Sequence, residues 1–145
     1  MRVINLDNVG TEMNAKWGVY PWFAEQGIEL IHPDDLEFFK LEVSNTKVFK
    51  CIEEGEYITL WYNNHCYRVK DKLFRPVPAP TYSFGDIVNI KESGVTAVIT
   101  DIMWHYDKQE HYYLVSVRNK RKSRRYFETE LSLHHDKKSD TGCRG

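Results

Sequence analysis

The feature that most constrains this chain is a series of short apolar stretches, separated by turn residues, between residues 84 and 131. Val88 and Ile90 alternate with polar neighbours, a long apolar run extends from Val95 to Trp104, and alternation returns from Tyr112. Strands separated by turns about every 8–12 residues are typical of antiparallel barrels and sandwiches. We therefore predict a mainly β protein with one or two short helices.

An internal repeat extends this prediction to the first half of the chain. Residues 57–63 align with 113–119, 67–69 align with 125–127, and 27–31 align with 85–90. The alignment predicts a strand over 27–31 and two tandem modules, 27–75 and 84–133. Residues 76–83 contain three of the five prolines and form a short extended linker. We assign 1–26 as an N-terminal arm with an aromatic cluster and 134–145 as a disordered tail.

The second module resembles SH3-like barrels of the KOW and Tudor-like kind. The resemblance is carried by residues 85–88, by the turn at Gly94 and by the strand pattern over 113–117. It implies two tandem SH3-like small barrels, a fold used for non-catalytic modules that bind RNA, ribosomes, peptides or modified tails. The whole chain also resembles small bacterial proteins of uncharacterised function.

A helix is predicted to begin near Pro33, since proline suits the first helical position and acidic residues suit the first turn. Leu36, Phe39 and Val43 would lie on its buried face. A second, shorter helical turn is predicted over 71–74.

Composition excludes few functions. The chain has 41% hydrophobic and 28% charged residues and a net charge of −1, so bulk charge favours neither nucleic acid nor a membrane as partner. Three cysteines are too few for a disulfide framework, and no apolar run approaches the roughly 20 residues that span a bilayer. The N-terminus also lacks the apolar segment of a secretory signal. We therefore expect a cytoplasmic protein with reduced thiols and no membrane partner.

An aromatic cluster lies near the N-terminus and has two interpretations. Trp17, Tyr20, Trp22 and Phe23 are interrupted by glycine and proline, which disfavours regular structure. The rings close the open end of a barrel, or they form an exposed patch that binds a protein partner.

The first half of the chain is the more acidic one, with 12 Asp and Glu against 9 Lys and Arg in residues 1–80. Asp34, Asp35 and Glu37 are the acidic residues that we assign to partner binding. These carboxylates keep the module soluble, or they bind a basic partner such as a toxin, as an immunity or antitoxin protein does.

Residues 118–125 contain six basic residues in eight positions. They form a solvated hairpin tip, or they bind an acidic protein or nucleic acid, with phosphates on the cations and bases stacked on nearby rings. The residues assigned to this surface are Arg118, Lys120, Arg121, Lys122, Arg124 and Arg125, with Tyr112 and Tyr126.

The sequence lacks the common catalytic and metal-binding signatures. The sequence has no Cys-x-x-Cys, His-Glu-x-x-His, Gly-x-Ser-x-Gly or dinucleotide pattern. We expect a non-catalytic binding or adaptor protein without metal or cofactor. A protein partner is the main expectation and RNA or ribosome binding is the alternative. The oligomeric state is left open.

Overall fold

The computed structural model describes residues 16–42 and 45–134. The chain divides between Ala79 and Pro80 into two compact units, and the division falls inside the predicted linker 76–83. Each unit contains one antiparallel sheet. The predicted mainly β class is therefore confirmed.

The first unit is a five-stranded sheet with one α-helix. Its strand order is β4-β3-β2-β1-β5, and short 3₁₀ helices cover Ala24–Gln26, Ile28–Leu30 and Asp71–Leu73. The main elements are β1 (Lys16–Val19), α1 (Leu36–Glu42), β2 (Phe49–Glu54), β3 (Tyr57–Tyr62), β4 (His65–Val69) and β5 (Arg75–Pro76).

The second unit is a six-stranded sheet with the order β10-β8-β7-β6-β11, and β9 pairs with β8 beside this path. A 3₁₀ helix over Glu128–Glu130 joins the last two strands. The strands are β6 (Ile87–Ile90), β7 (Thr96–His105), β8 (Glu110–Val117), β9 (Lys120–Arg121), β10 (Tyr126–Phe127) and β11 (Leu131–Leu133).

The two sheets share one plan. In each, a middle strand (β3 or β8) pairs with a later strand (β4 or β10), a 3₁₀ turn follows, and the last strand pairs with the first. This order corresponds to the internal repeat over the later strands. Both sheets are open in strand order within the described residues, so they are not closed barrels.

The predicted first strand of the repeat is wrong. Residues 28–30 form a 3₁₀ helix, and only Ile31 makes an isolated bridge, to Val69. Gly27 has φ 122°, which breaks an extended run before it can pair. The strand equivalent to β6 is β1, within the predicted arm 1–26, so the predicted start of the first module at residue 27 falls too late.

The predicted arm, the predicted tail and one predicted core residue of the helix fall wholly or partly outside the residues that the structure describes. The arm is described only from residue 16, and of the predicted tail 134–145 only His134 is described; its N–H bonds the Ile87 carbonyl. Val43, placed on the buried face of the helix, also lies outside. Phe39 is fully buried as predicted, and Leu36 is half-buried.

The core of the first unit forms around Phe39 of α1. Its ring contacts the rings of Tyr20, Trp22, Phe49 and Tyr67, with centroids 5.2–6.5 Å apart. Aromatic contacts of this kind add to the free energy gained by burying apolar surface. Because this face of α1 is used for packing, its opposite face is presented to solvent.

Candidate functional site

The aromatic cluster near the N-terminus belongs mainly to the core. Tyr20 is fully buried and its hydroxyl donates to the Lys70 carbonyl at 2.6 Å. Trp22 is buried and its indole N–H donates to the Gly27 carbonyl at 2.9 Å. The prediction that these two rings form an exposed contact patch is therefore wrong. Both rings are hydrogen-bonded in the interior of the first unit, and because the sheet is not a closed barrel they do not close a barrel end either.

The other two rings of the cluster reach the surface to different extents. Trp17 is half-buried on β1, with the Lys50 ammonium 5.9 Å from its ring centroid. Phe23 is exposed beside the 3₁₀ helix over Ala24–Gln26. The cluster as a whole is not one surface.

Asp35 has a structural partner. Its carboxylate accepts hydrogen bonds from the Arg68 backbone N–H (2.8 Å), Nε (2.9 Å) and Nη2 (3.1 Å). Burial alone raises the pKa of this carboxyl, but the hydrogen bonds and charge of Arg68 outweigh it, so the pKa lies below its ordinary value. The predicted partner-binding role of Asp35 is replaced by a clamp between the start of α1 and β4.

Asp34 and Glu37 remain available at the surface. Asp34 lies at the edge of the clamp, with a carboxylate oxygen 3.9 Å from Nη2 of Arg68. Glu37 makes an exposed ion pair with Lys40 at 3.5 Å. Exposed pairs of this length contribute little to stability, so both carboxylates can exchange partners readily.

The outer face of α1 carries apolar side chains in solvent. Phe38 is 66% exposed and Leu41 is 82% exposed, and the two lie three residues apart on adjoining turns. Exposed large apolar residues that neighbour one another mark interaction sites more often than isolated ones do. We call Phe38, Leu41 and the cavity described next the α1 surface.

A cavity of about 470 Å³ adjoins Phe38. Helix α1 contributes one wall and β4, an edge strand, contributes the other. Its volume is within the range of pockets that hold a side chain or small ligand, about 300–1,000 Å³. The lining residues are Asp35, Phe38, Glu42, His65, Cys66 and Tyr67.

Sequence reasoning missed the α1 surface. Phe38 and Leu41 lie off the stripe of Leu36 and Phe39, and a helix of seven residues with one buried stripe leaves such positions in solvent. The sequence could have indicated this surface, because Phe38 and Leu41 are large apolar residues that lie outside the helical pattern of buried positions.

The basic run forms an ordered hairpin between β8 and β9. Arg118 and Asn119 have φ values of 53° and 68°, the left-handed conformation of a tight hairpin turn. Lys120 pairs with Val117 and Arg121 with Ser116, and the Lys122 N–H bonds the Val115 carbonyl at 2.9 Å. We call residues 118–125 the basic hairpin.

Two cations of the basic hairpin form ion pairs within the second unit. Arg121 Nη2 lies 2.5 Å from the Asp101 carboxylate. Arg124 Nη2 lies 3.3 Å from Glu92 and 3.4 Å from Glu130. These contacts reduce the net positive charge that a ligand would meet at either residue.

The two tyrosines predicted to stack on bases are buried instead. The guanidinium of Arg124 covers the Tyr126 ring and that of Arg125 covers the Tyr112 ring, each 5.0 Å from the ring centroid. Such contacts are typical cation–π pairs. The prediction that these rings stack on bases is therefore wrong for both.

Three cations of the basic hairpin are exposed and have neither an ion pair nor a ring contact inside the described part of the chain. These are Arg118, Lys120 and Lys122. Lys122 also borders a cavity of about 370 Å³. The cavity is lined by Ile90, Ser93, Val95, Val117, Lys122, Ser123, Arg124 and Tyr126.

Thiols and imidazoles do not assemble a reactive centre in the described ranges. No group of three or more His, Cys, Asp or Glu side chains there could hold a metal ion. Burial raises the pKa of the Cys51 thiol to about 11, which disfavours the nucleophilic thiolate. Cys66 is half-buried in the wall of the larger cavity.

Comparison with known proteins assigns a family but no activity. The model of the family of unknown function DUF6960 matches residues 11–132, so the chain belongs to that family. No curated protein and no solved structure matches the chain. Across residues 16–42 and 45–134, no helix is both long and apolar enough to cross a membrane.

Proposed function

We propose that this chain is a non-catalytic, cytoplasmic binding protein that recognises a protein partner through the α1 surface. The observation that carries the proposal is the exposure of Phe38 and Leu41 on adjoining turns of α1, beside an apolar-walled cavity. Leaving two large apolar side chains in water forgoes about 1.5–3 kcal/mol of burial free energy for each, which a partner would recover.

The partner's chemistry follows from the charges around the apolar residues. Asp34, Glu37 and Glu42 are exposed on or just before α1, and Lys40 is the only cation of the helix itself. Of the neighbouring cations, the Arg68 guanidinium is held by Asp35 and the Lys47 ammonium donates to the Glu42 carbonyl at 2.7 Å. We therefore expect a segment that places an apolar side chain in the cavity and a Lys or Arg beside the carboxylates, since complementary charges orient a partner. A cationic toxin is one partner with this chemistry.

The shared plan of the two sheets is in keeping with this role. The resemblance to SH3-like modules, which remains part of the proposal, implies small folds that bind ligands on their surfaces. Fold alone does not specify a ligand, so the argument depends on the α1 surface.

A peptide-display selection tests the proposal. Random peptides of about 12 residues are selected on the full chain, and the enriched peptides are titrated against two double variants. Phe38→Ala/Leu41→Ala removes the apolar contact, and we expect affinity to fall at least about tenfold, as for a central contact. Phe23→Ala/Ile28→Ala is the matched control, since Phe23 and Ile28 are also exposed and lie outside α1.

The expected peptides combine apolar and basic residues and bind the control as they bind the unmodified protein. Enrichment of acidic peptides would contradict the charge argument. Equal losses in the two double variants, or none in the α1 variant, would contradict the location.

A further inference from the structure

We infer that the second unit binds single-stranded nucleic acid at the basic hairpin, with phosphates on Arg118, Lys120 and Lys122 and one base in the adjoining cavity against Arg124. This site shares no residue with the α1 surface and does not depend on the proposed protein partner.

The three cations are held on an ordered backbone. The hairpin turn at Arg118 and Asn119, the pairing of Lys120 with Val117 and the bond from the Lys122 N–H to Val115 fix the chain. In extended chain, side chains two residues apart share a face at about 7 Å. Lys120 and Lys122 therefore offer successive charges along one line, which suits a phosphodiester backbone.

The cavity provides a place for a base. Its apolar walls come from Ile90, Val95, Val117 and Tyr126, and Lys122 stands at its border. A volume of about 370 Å³ exceeds what one small ion requires and is within the range of small-ligand pockets. A nucleotide suits this cavity, because its flat base can contact the apolar walls while its phosphate lies beside Lys122.

Arg124 is the residue positioned to stack on that ring. Glu92 and Glu130 form ion pairs with its Nη2 atom, and one face of its guanidinium packs on the Tyr126 ring. Guanidinium planes stack on unpaired bases. The two carboxylates offset its charge, so an uncharged ring suits this position better than a carboxylate, which favours nucleic acid over an acidic peptide.

Salt dependence tests the phosphate contacts. Binding of fluorescent oligo(dT) and oligo(U) of about 12 nucleotides, within the usual site sizes, is measured by anisotropy between about 50 and 200 mM salt. Each phosphate contact contributes about 0.7 to the slope of log K against log salt for single strands. Lys120→Gln/Lys122→Gln should lower the slope by about 1.4. Lys72→Gln/Arg75→Gln removes the same charge from exposed residues of the first unit and should leave the slope unchanged.

Arg124→Lys tests the base contact, because it keeps the charge and removes the planar group. We expect affinity for oligo(dT) to fall about tenfold, while affinity for an abasic phosphodiester of the same length is unchanged. An unchanged thermal midpoint confirms that the fold is intact.

Four results would overturn the inference. They are absence of binding at about 50 mM salt, equal slopes in the two double variants, equal affinity for abasic and base-bearing strands, and displacement of the strand by poly-glutamate at equal charge concentration. The last would assign the basic hairpin to an acidic protein.

Discussion

Replacing Asp35 with Asn should destabilise the first unit more than any other single loss of charge on or beside α1. The substitution keeps the shape of the side chain but removes the charge and replaces one acceptor oxygen with an NH2 donor. At least one of the three hydrogen bonds from Arg68, at 2.8, 2.9 and 3.1 Å, is therefore lost. Asp35 is 17% exposed, so water replaces these bonds poorly. Breaking a fully buried pair costs about 3–5 kcal/mol, and partial exposure reduces this to about 2–3 kcal/mol here.

The assay is urea unfolding of the full chain, followed by tryptophan fluorescence. With a denaturant slope of about 1–3 kcal/mol per molar, the midpoint should fall by about 0.7–3 M. Asp34→Asn is the control, because Asp34 is 77% exposed and lies 3.9 Å from the same guanidinium. It should change the free energy of unfolding by less than about 0.5 kcal/mol.

The pH dependence gives a second measurement of the same interaction. The pKa of Asp35 is lowered in the folded state, so the unfolded chain takes up the proton first as the pH falls. The stabilisation is therefore complete above the ordinary Asp pKa of about 3.9 and is lost as the pH drops through the folded value. Asp35→Asn should flatten this acid loss. Equal midpoints for the Asp34 and Asp35 variants, or an unchanged acid loss, would refute the clamp.

Three further outcomes are expected. Phe39→Ala should lower the free energy of unfolding in urea by about 3–5 kcal/mol, because four aromatic rings contact Phe39. Phe38→Ala, at an exposed residue, should lower it by less than about 0.5 kcal/mol. Similar losses in the two variants would contradict the assigned faces of α1. Gly18→Ala should destabilise the first sheet by about 1–3 kcal/mol, because a Cβ there would overlap the Arg75 carbonyl oxygen and the Phe74 ring; a wild-type melting temperature would contradict this packing. Iodoacetamide with peptide mapping should modify Cys66 in the native protein before Cys51, because Cys51 is buried and its thiol has a pKa of about 11; the reverse order would contradict the burial.

The sequence predicted the strands best where local signals agreed. The run over β3 is mostly apolar, is followed by the turn residues Asn63-Asn64 and pairs with β4, and Asn63 adopts the φ of 57° that such a turn requires. The 3₁₀ turn after β4, Asp71–Leu73, was also predicted, over 71–74. Local pattern is sufficient in these cases because the pairing partner is adjacent in the chain.

Prediction failed where distant partners decided the outcome. Gly27 and Ile28 resemble the start of β6 in sequence, but the place beside β2 that an equivalent strand would need is taken by β1. Tyr20 and Trp22 are buried because Phe39 and Lys70 meet them from later in the chain. Asp35 resembled a surface acid because Arg68 lies 33 residues away.

In the second unit the chain enters and leaves side by side. Leu131, Ser132 and Leu133 of β11 pair with β6, the Tyr113 hydroxyl accepts from the Thr81 N–H at 3.0 Å, and the Tyr82 hydroxyl donates to the Leu131 carbonyl at 3.1 Å. Peeling β11 away would leave β6 as an edge strand with β7 as its remaining partner, so each end of the sheet supports the other. Removing β11 should therefore weaken β6 before the rest of the sheet, and rejoining the unit's neighbouring ends to make new termini in the turn at Gly94 should leave it folded.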